Sequence, residues 1–168
     1  MSKKVLVAYA TKMGATATIA GAIGAELRAA GHQVDVHEIG AVLAVSEYDA
    51  VILGSAIYQS RWRPEAVHFL REHERQLRTR QVWLFHSGPI GASRHEDQPV
   101  PLDVGRLADQ IKAPPVKTFA GELQADAVAG RAARDPELDR LIGDSRDWAD
   151  IRTWSREIAT TLDASSQG

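Results

Sequence analysis

No cysteine occurs among the 168 residues of this chain. Its absence excludes disulfide bonds, thiolate catalysis and iron–sulfur ligation by cysteine. The chain also lacks an apolar run of about 18 residues, which a transmembrane helix requires. It does not begin with the apolar segment and small-residue cleavage site of a signal peptide. We therefore expect a cytoplasmic protein without a transmembrane segment.

A strong excess of charge of one sign is absent too, because the formal net charge is −2 at pH 7. Nucleic-acid-binding domains usually carry a clear basic excess, so no nucleic-acid partner is expected. Apolar residues make up 44% of the chain, which is typical of a folded globular protein and excludes a disordered one. A chain of this length typically forms one domain. We place that domain at residues 1–163 and predict a flexible tail at 164–168.

Short apolar runs alternate with longer helical stripes along the chain. The run Val5–Ala10 is continuous and β-branched, as expected of a strand buried on both faces. Ile19, Ile23 and Leu27 form one apolar stripe of a helix. Strands that alternate with helices indicate crossover connections and a parallel sheet, so we predict an α/β, doubly wound three-layer fold. The predicted strands are Val5–Ala10, Gln33–Ile39, Ala50–Leu53, Val82–Phe85 and Val116–Ala120, and the predicted helices are Thr16–Ala30, Pro64–Arg80 and Asp147–Leu162.

The segment 121–146 interrupts this alternation. It is longer than a usual connection between a strand and a helix, so we treat it as an irregular insertion that contains a short helix at Pro136–Ile142. No metal site is expected. His68 and His73 are five residues apart on one predicted helix, whereas metal ligation favours a spacing of four. The polar run His95-Glu96-Asp97 has no distant partner in the sequence.

The loop Thr11–Thr16 follows the first predicted strand and leads directly into the first helix. In an open α/β sheet, ligands bind at the carboxyl ends of the strands, where the strand order reverses. The loop has hydroxyls at both ends and Gly14 between them, and a helix N-terminus with free N–H groups attracts a phosphate. It lacks the motifs of triphosphate and dinucleotide loops, which favours a single terminal phosphate. The alternative is an ordinary turn in which Thr16 caps the helix, and the local pattern leaves both open.

Several segments together are similar to the flavodoxins. YATKMGAT, after the first strand, resembles the flavodoxin phosphate loop, Ser/Thr-x-Thr-Gly-x-Thr. GSAIYQSRWRPEAVHFL, HSGPIG, FAGEL and RDWADIRTWSREIA resemble the branch of that superfamily that includes the quinone-dependent protoporphyrinogen dehydrogenases. The resemblance covers nearly the whole chain apart from 121–146. It implies a flavodoxin-like, five-stranded parallel sheet in the order 2-1-3-4-5 and bound flavin mononucleotide (FMN), with a deazaflavin as the alternative.

The resemblance also implies which residues bind the cofactor. Those of the first loop would hold the phosphate, and Met13 stands where many flavodoxins have a threonine, so the charge of Lys12 would partly replace a hydroxyl. Of the tryptophans, only Trp62 lies outside every predicted stripe, so it is the expected stacking partner of the flavin ring, with Tyr58 as the substitute. Trp83, Trp148 and Trp154 are expected to pack in the core. The implied site residues are Thr11, Lys12, Met13, Gly14, Ala15, Thr16, Ala56, Ile57, Tyr58, Trp62, Ser87, Gly88, Pro89, Ile90 and Gly91.

Three functions are compatible with the resemblance. The first is a two-electron oxidoreductase that acts on a quinone or similar acceptor, the second is a protoporphyrinogen dehydrogenase, and the third is a one-electron carrier. The segment 121–146 has no aromatic residue, which argues against a membrane-associated porphyrin enzyme.

The loop beside the expected flavin ring favours the first of these functions. Flavodoxin carriers commonly place there a glycine whose peptide flips on one-electron reduction. This chain has no glycine between Ser55 and Arg63, and Ser60, near that place, is expected to resist positive φ. Arg61 and Arg63 would stabilise a negatively charged reduced ring. Both features predict two-electron chemistry.

Overall fold

Five parallel strands form the sheet at the centre of the fold. The computed structural model describes residues 2–11, 14–88, 99–120, 122–123, 143–144 and 147–165. The strands are β1 Lys4–Ala10, β2 Gln33–Glu38, β3 Ala50–Tyr58, β4 Arg61–Trp62, β5 Gln81–Ser87 and β6 Lys117–Phe119. The order of the sheet is β2-β1-β3-β5-β6, and β4 pairs only with β3, in antiparallel orientation. The predicted order 2-1-3-4-5 is therefore confirmed, with β4 as an additional strand that the sequence pattern does not predict.

Helices cover both faces of this sheet. They are α1 Ala15–Ala29, α2 Pro64–Glu72, α3 Glu74–Leu77, α4 Leu102–Gln110 and α5 Trp148–Ser165. The apolar side chains of α1 and α5 pack with Val5, Val7 and Phe85 on one face of the sheet. Those of α2 and α4 pack with Leu6 and Leu53 on the other face. This arrangement is the predicted three-layer fold.

The helices differ from the prediction in three places. The single helix expected over Pro64–Arg80 is divided at His73, which has φ −105° and ψ 14° and packs its ring 4.5 Å from that of Phe69. The helix α4 was not predicted. Helix α5 continues past its predicted end through Ser165, whose hydroxyl donates to the carbonyl of Leu162. The predicted flexible tail at 164–168 is therefore helical at its first two residues.

Some predicted features lie outside the described residues. They are the short helix Pro136–Ile142, the run His95–Asp97 and residues 166–168. Within the insertion 121–146, the backbone segments β7 Glu122–Leu123 and β8 Gly143–Asp144 pair in antiparallel orientation. None of the helices in the described part of the chain is long and apolar enough to span a bilayer.

Candidate functional site

The carboxyl ends of three neighbouring strands meet at one edge of the sheet, here called the carboxyl edge. In the pairing of β1 with β3, Ala10 lies opposite Ser55, and in the pairing of β3 with β5, Ser55 lies opposite His86. Strand β1 stands between β2 and β3, so the strand order reverses at this place. The three loops that the sequence analysis assigns to a cofactor therefore begin side by side, where open α/β sheets bind their ligands.

The first loop leads into the N-terminus of α1. No side chain of the described residues caps this helix end. Gly14 is the N-cap of α1 and has φ 94°, a left-handed conformation that glycine adopts without strain. Its N–H donates to the hydroxyl of Thr11 at 2.9 Å. The first N–H groups of a helix have no partner within the helix, so they are available to a ligand at this end. Lys12 and Met13 lie outside the described residues.

Thr16 does not cap the helix, contrary to the alternative considered for the first loop. It lies inside α1, and its fully buried hydroxyl forms a 2.9 Å hydrogen bond with the hydroxyl of Ser87 at the end of β5. This contact joins the first loop to the third. The next residue, Gly88, donates its N–H to the carbonyl of Phe119 at 3.2 Å. Pro89, Ile90 and Gly91 lie outside the described residues.

The side chain of Trp62 is buried rather than presented to a ligand. Only 4% of it is exposed, it packs in the core beneath α2, and its Nε1–H donates to Nδ1 of His86 at 3.0 Å. A flavin ring cannot stack on an indole in this position, whereas Tyr58, the expected substitute, is 41% exposed. The other three tryptophans pack against the core from partly buried positions, as predicted: Trp83, Trp148 and Trp154.

Strands β3 and β4 form a hairpin with a two-residue turn. Ile57 pairs with Trp62, and Tyr58 pairs with Arg61. Gln59 and Ser60 between them have φ 51° and 62°, and positive φ at both central residues is the signature of a type I′ turn. The expectation that Ser60 would resist positive φ is therefore wrong, because the pairing of β3 with β4 imposes the turn that closes it.

The hairpin has one buried and one exposed face. Residues that pair directly across two antiparallel strands point to the same face of the ribbon. Trp62 and its partner Ile57 point towards the core, where Ile57 is partly buried. Tyr58 and Arg61, the next pair, therefore share the outward face, and both are exposed. The hairpin presents an aromatic ring beside a guanidinium group at the carboxyl edge.

The two arginines of this region differ in their electrostatic surroundings. The Nε of Arg63 lies 3.1 Å from a carboxylate oxygen of Glu65, so much of its charge is compensated. Within the described residues, Arg61 forms no such ion pair. Of these two arginines, Arg61 therefore carries the less compensated positive charge.

His86 is a buried polar residue next to the third loop that the sequence analysis did not identify. It is fully buried at the end of β5, between Trp62 and the hydroxyl of Thr118 on β6, which lies 2.8 Å from its Nε2. The available signal was a histidine that follows the apolar run of β5 directly, next to a residue already assigned to the cofactor. Its partners lie 24 and 32 residues away along the chain, so the sequence alone gave no means of pairing them.

The chain is similar to known proteins both in sequence and in fold. A family model described as a flavodoxin domain matches residues 6–129. None of the curated proteins matches the chain. A solved flavodoxin from the domain Archaea has 15% identity and a TM-score of 0.65, with 95% of this chain and 99% of that one covered. Flavodoxin 1 from Bacillus cereus has 15% identity and a TM-score of 0.61, with 94% and 97% covered.

A larger solved enzyme contains the same fold as one part. Rubredoxin oxygen:oxidoreductase from Desulfovibrio gigas has 16% identity and a TM-score of 0.64 over 96% of this chain. This chain covers only 36% of that protein. At such identities the similarity shows the fold, and the predicted flavodoxin-like fold is confirmed. None of these findings supports the branch of the protoporphyrinogen dehydrogenases.

Proposed function

Because the chain belongs to the flavodoxin domain family, we propose that it is a redox protein that binds FMN at the carboxyl edge of its sheet. One observation carries the proposal. The helix α1 begins, without a capping side chain among the described residues, at the point where the strand order reverses. A helix N-terminus with available N–H groups and a favourable dipole is a binding site for a phosphate.

The first loop fits the phosphate of FMN. The N–H groups of Ala15 and Thr16 lie in the first turn of α1, after the left-handed N-cap Gly14. The hydroxyl of Thr11 stands beside that N-cap. In this proposal the Thr16 hydroxyl does not bind the phosphate directly but holds the loop against Ser87. Lys12 and Met13, between these residues in the sequence, complete the proposed cradle.

The second and third loops fit the flavin ring. Tyr58 offers an exposed aromatic face, and the partly buried Ala56 and Ile57 offer apolar surface beside it. The backbone at Ser87 and Gly88 would contact the polar edge of the ring, and Pro89, Ile90 and Gly91 would continue that contact. When bound, the flavin supplies the redox chemistry, accepting and releasing electrons. The protein binds the phosphate, orients the ring and covers one of its faces.

The identity of the cofactor is tested by the small molecule that copurifies with the protein. We expect a flavin absorption spectrum and the mass of FMN after the protein is denatured. Protein that has lost its cofactor should regain that spectrum when FMN is added. A deazaflavin mass, or no binding when FMN is supplied in excess, would contradict the proposal.

The conformation of the hairpin turn supports two-electron chemistry with a quinone or similar acceptor. Rotating the peptide between Gln59 and Ser60 would convert the type I′ turn into type II′, which requires glycine at its first central position. That position is occupied by Gln59. A flip of this peptide, the movement by which flavodoxins favour one-electron reduction, is therefore costly here. The exposed charge of Arg61 further favours a negatively charged, fully reduced ring.

Anaerobic reductive titration of the FMN-bound protein tests this part of the proposal. We expect the wild-type spectrum to pass from oxidised to fully reduced flavin with little absorbance from one-electron-reduced flavin. Gln59→Gly removes the obstacle to the flip and should raise that absorbance several-fold, whereas Gln59→Ala should not. A large and stable one-electron population in the wild type would assign the protein to the electron carriers instead.

A further inference from the structure

The hydrogen bonds of His86 to Trp62 and Thr118 indicate its tautomer. The indole N–H of Trp62 can only donate, so Nδ1 of His86 accepts at 3.0 Å. The imidazole therefore carries its proton on Nε2, from which it donates to the Thr118 hydroxyl at 2.8 Å. The ring is fully buried and in edge contact with the indole, with centroids 6.2 Å apart. A polar chain of Trp62, His86 and Thr118 thus crosses from β4 through β5 to β6, with Trp62 and His86 buried.

His86 and Ser87, the last two residues of β5, point to opposite faces of the sheet, because successive strand residues point to opposite sides. Val82 and Leu84 pack with the α2 layer, and His86 continues that side and contacts Trp62. Phe85 packs with the α1 layer, and Ser87 continues that side and contacts Thr16. His86 is therefore linked to the hairpin proposed to bind the ring, and Ser87 to the loop proposed to bind the phosphate.

The polar chain adds a connection that holds the β4 side of the hairpin in position. Strand β4 is joined to β3 by two residue pairs and by the hydrogen bond from the N–H of Arg63 to the hydroxyl of Ser55 at 2.9 Å, and the turn before it holds two residues in a strained conformation. Hydrophobic attraction has no preferred direction, whereas a buried hydrogen bond requires a particular distance and direction. The bond from Trp62 to His86 therefore connects β4 directly to β5.

We propose that His86 is the positioning residue of the flavin-ring site. Through Trp62 it holds the hairpin that carries Tyr58, and as the neighbour of Ser87 it holds that hairpin in register with the third loop. His86 itself does not touch the cofactor in this proposal. The inference rests on the proposed function and assigns different roles to two neighbouring residues. His86 positions the hairpin that binds the ring, and the hydroxyl of Ser87 positions the loop that binds the phosphate.

These two roles can be distinguished by measuring the affinities of the variants for FMN and for riboflavin, which lacks the phosphate. The variants are Trp62→Phe, which removes the indole N–H donor and part of the ring volume while keeping an aromatic core residue, His86→Leu and Thr118→Val, with Ser87→Ala as the matched comparison. We expect Trp62→Phe to lower the affinities for riboflavin and FMN by the same factor, about five- to tenfold. The ratio of the two affinities should therefore stay unchanged. Ser87→Ala should instead weaken FMN more than riboflavin and reduce that ratio.

The visible circular dichroism of the bound flavin provides a second readout, because it reports the orientation of the ring. It should change in Trp62→Phe and Thr118→Val, and affinities are measured at temperatures where far-ultraviolet circular dichroism shows each variant folded. If His86 were important only for stability, the folded variants would bind riboflavin with wild-type affinity and dichroism, which would overturn the inference. If the wild type bound neither flavin, the proposed function would fail, and this inference with it.

Discussion

Replacing Gly54 with alanine is expected to destabilise the protein by about 3 kcal/mol, because the new methyl group has no space. A Cβ at this position would lie 2.0–2.4 Å from three atoms of the Phe85 ring. That ring is fully buried and packs against the rings of Phe119 and Trp154, with centroids 5.8 and 5.9 Å away. For a domain of this size the loss corresponds to a fall of roughly 6–12 °C in Tm.

The same substitution at Gly21 is the matched control. A Cβ at Gly21 meets no atom within 4 Å, and the position lies inside α1 on its exposed side. Gly21→Ala should therefore raise stability by up to about 1 kcal/mol, since alanine favours the helix. Adding Phe85→Leu to Gly54→Ala should recover part of the loss, as expected for two residues in contact. A Gly54→Ala protein as stable as the wild type would contradict the packing described for this layer.

Replacing Gly14 with valine is expected to weaken FMN binding about 100-fold, the effect of losing two hydrogen bonds to a charged phosphate. Gly14 has φ 94°, and a β-branched residue is a strong outlier at positive φ. The first loop must rearrange to relieve this strain, which moves the N–H groups of the helix start away from the phosphate. The affinity for riboflavin, which has no phosphate, should fall by less than about fivefold. This corresponds to a loss of binding free energy well under about 1.4 kcal/mol.

Gly31 provides the control for the backbone strain itself. It has φ 98° and, like Gly14, open space around its Cα, but it lies after the other end of α1. Gly31→Val should therefore cost about 1–2 kcal/mol of stability, as Gly14→Val does, and leave the affinity for FMN unchanged. Equal losses of FMN affinity in both variants would mean that Gly14 acts through stability alone.

The elements that could be predicted from the sequence are those with a long, regular pattern. The continuous apolar run of β1 and the stripe of α1 determine two elements and, by their alternation, the parallel sheet. Helix α4 was missed although Val104, Leu107, Ala108 and Ile111 have helical spacing and are buried. The division between α2 and α3 at His73 could not be predicted, because no proline or glycine marks it.

The parts of the site that could not be predicted depend on contacts between distant residues. Strand β4 has two residues, too few for a periodic pattern, and it forms only because Gln59 and Ser60 adopt a turn that usually requires asparagine and glycine. Trp62 is buried as a consequence of that hairpin. Its hydrogen bond to His86 joins residues 24 positions apart. The position of these loops at one edge of the sheet was predictable from their place after the strands, whereas the orientation of their aromatic side chains was not.

The measurement that tests the central claim most directly is the ratio of the riboflavin and FMN dissociation constants of the unmodified protein. The account predicts that FMN binds at least about tenfold more tightly, because a phosphate held by the start of α1 adds at least one charge-assisted hydrogen bond. The advantage should shrink at high salt, since the phosphate is held partly by electrostatic attraction. Equal dissociation constants for the two flavins would contradict the account.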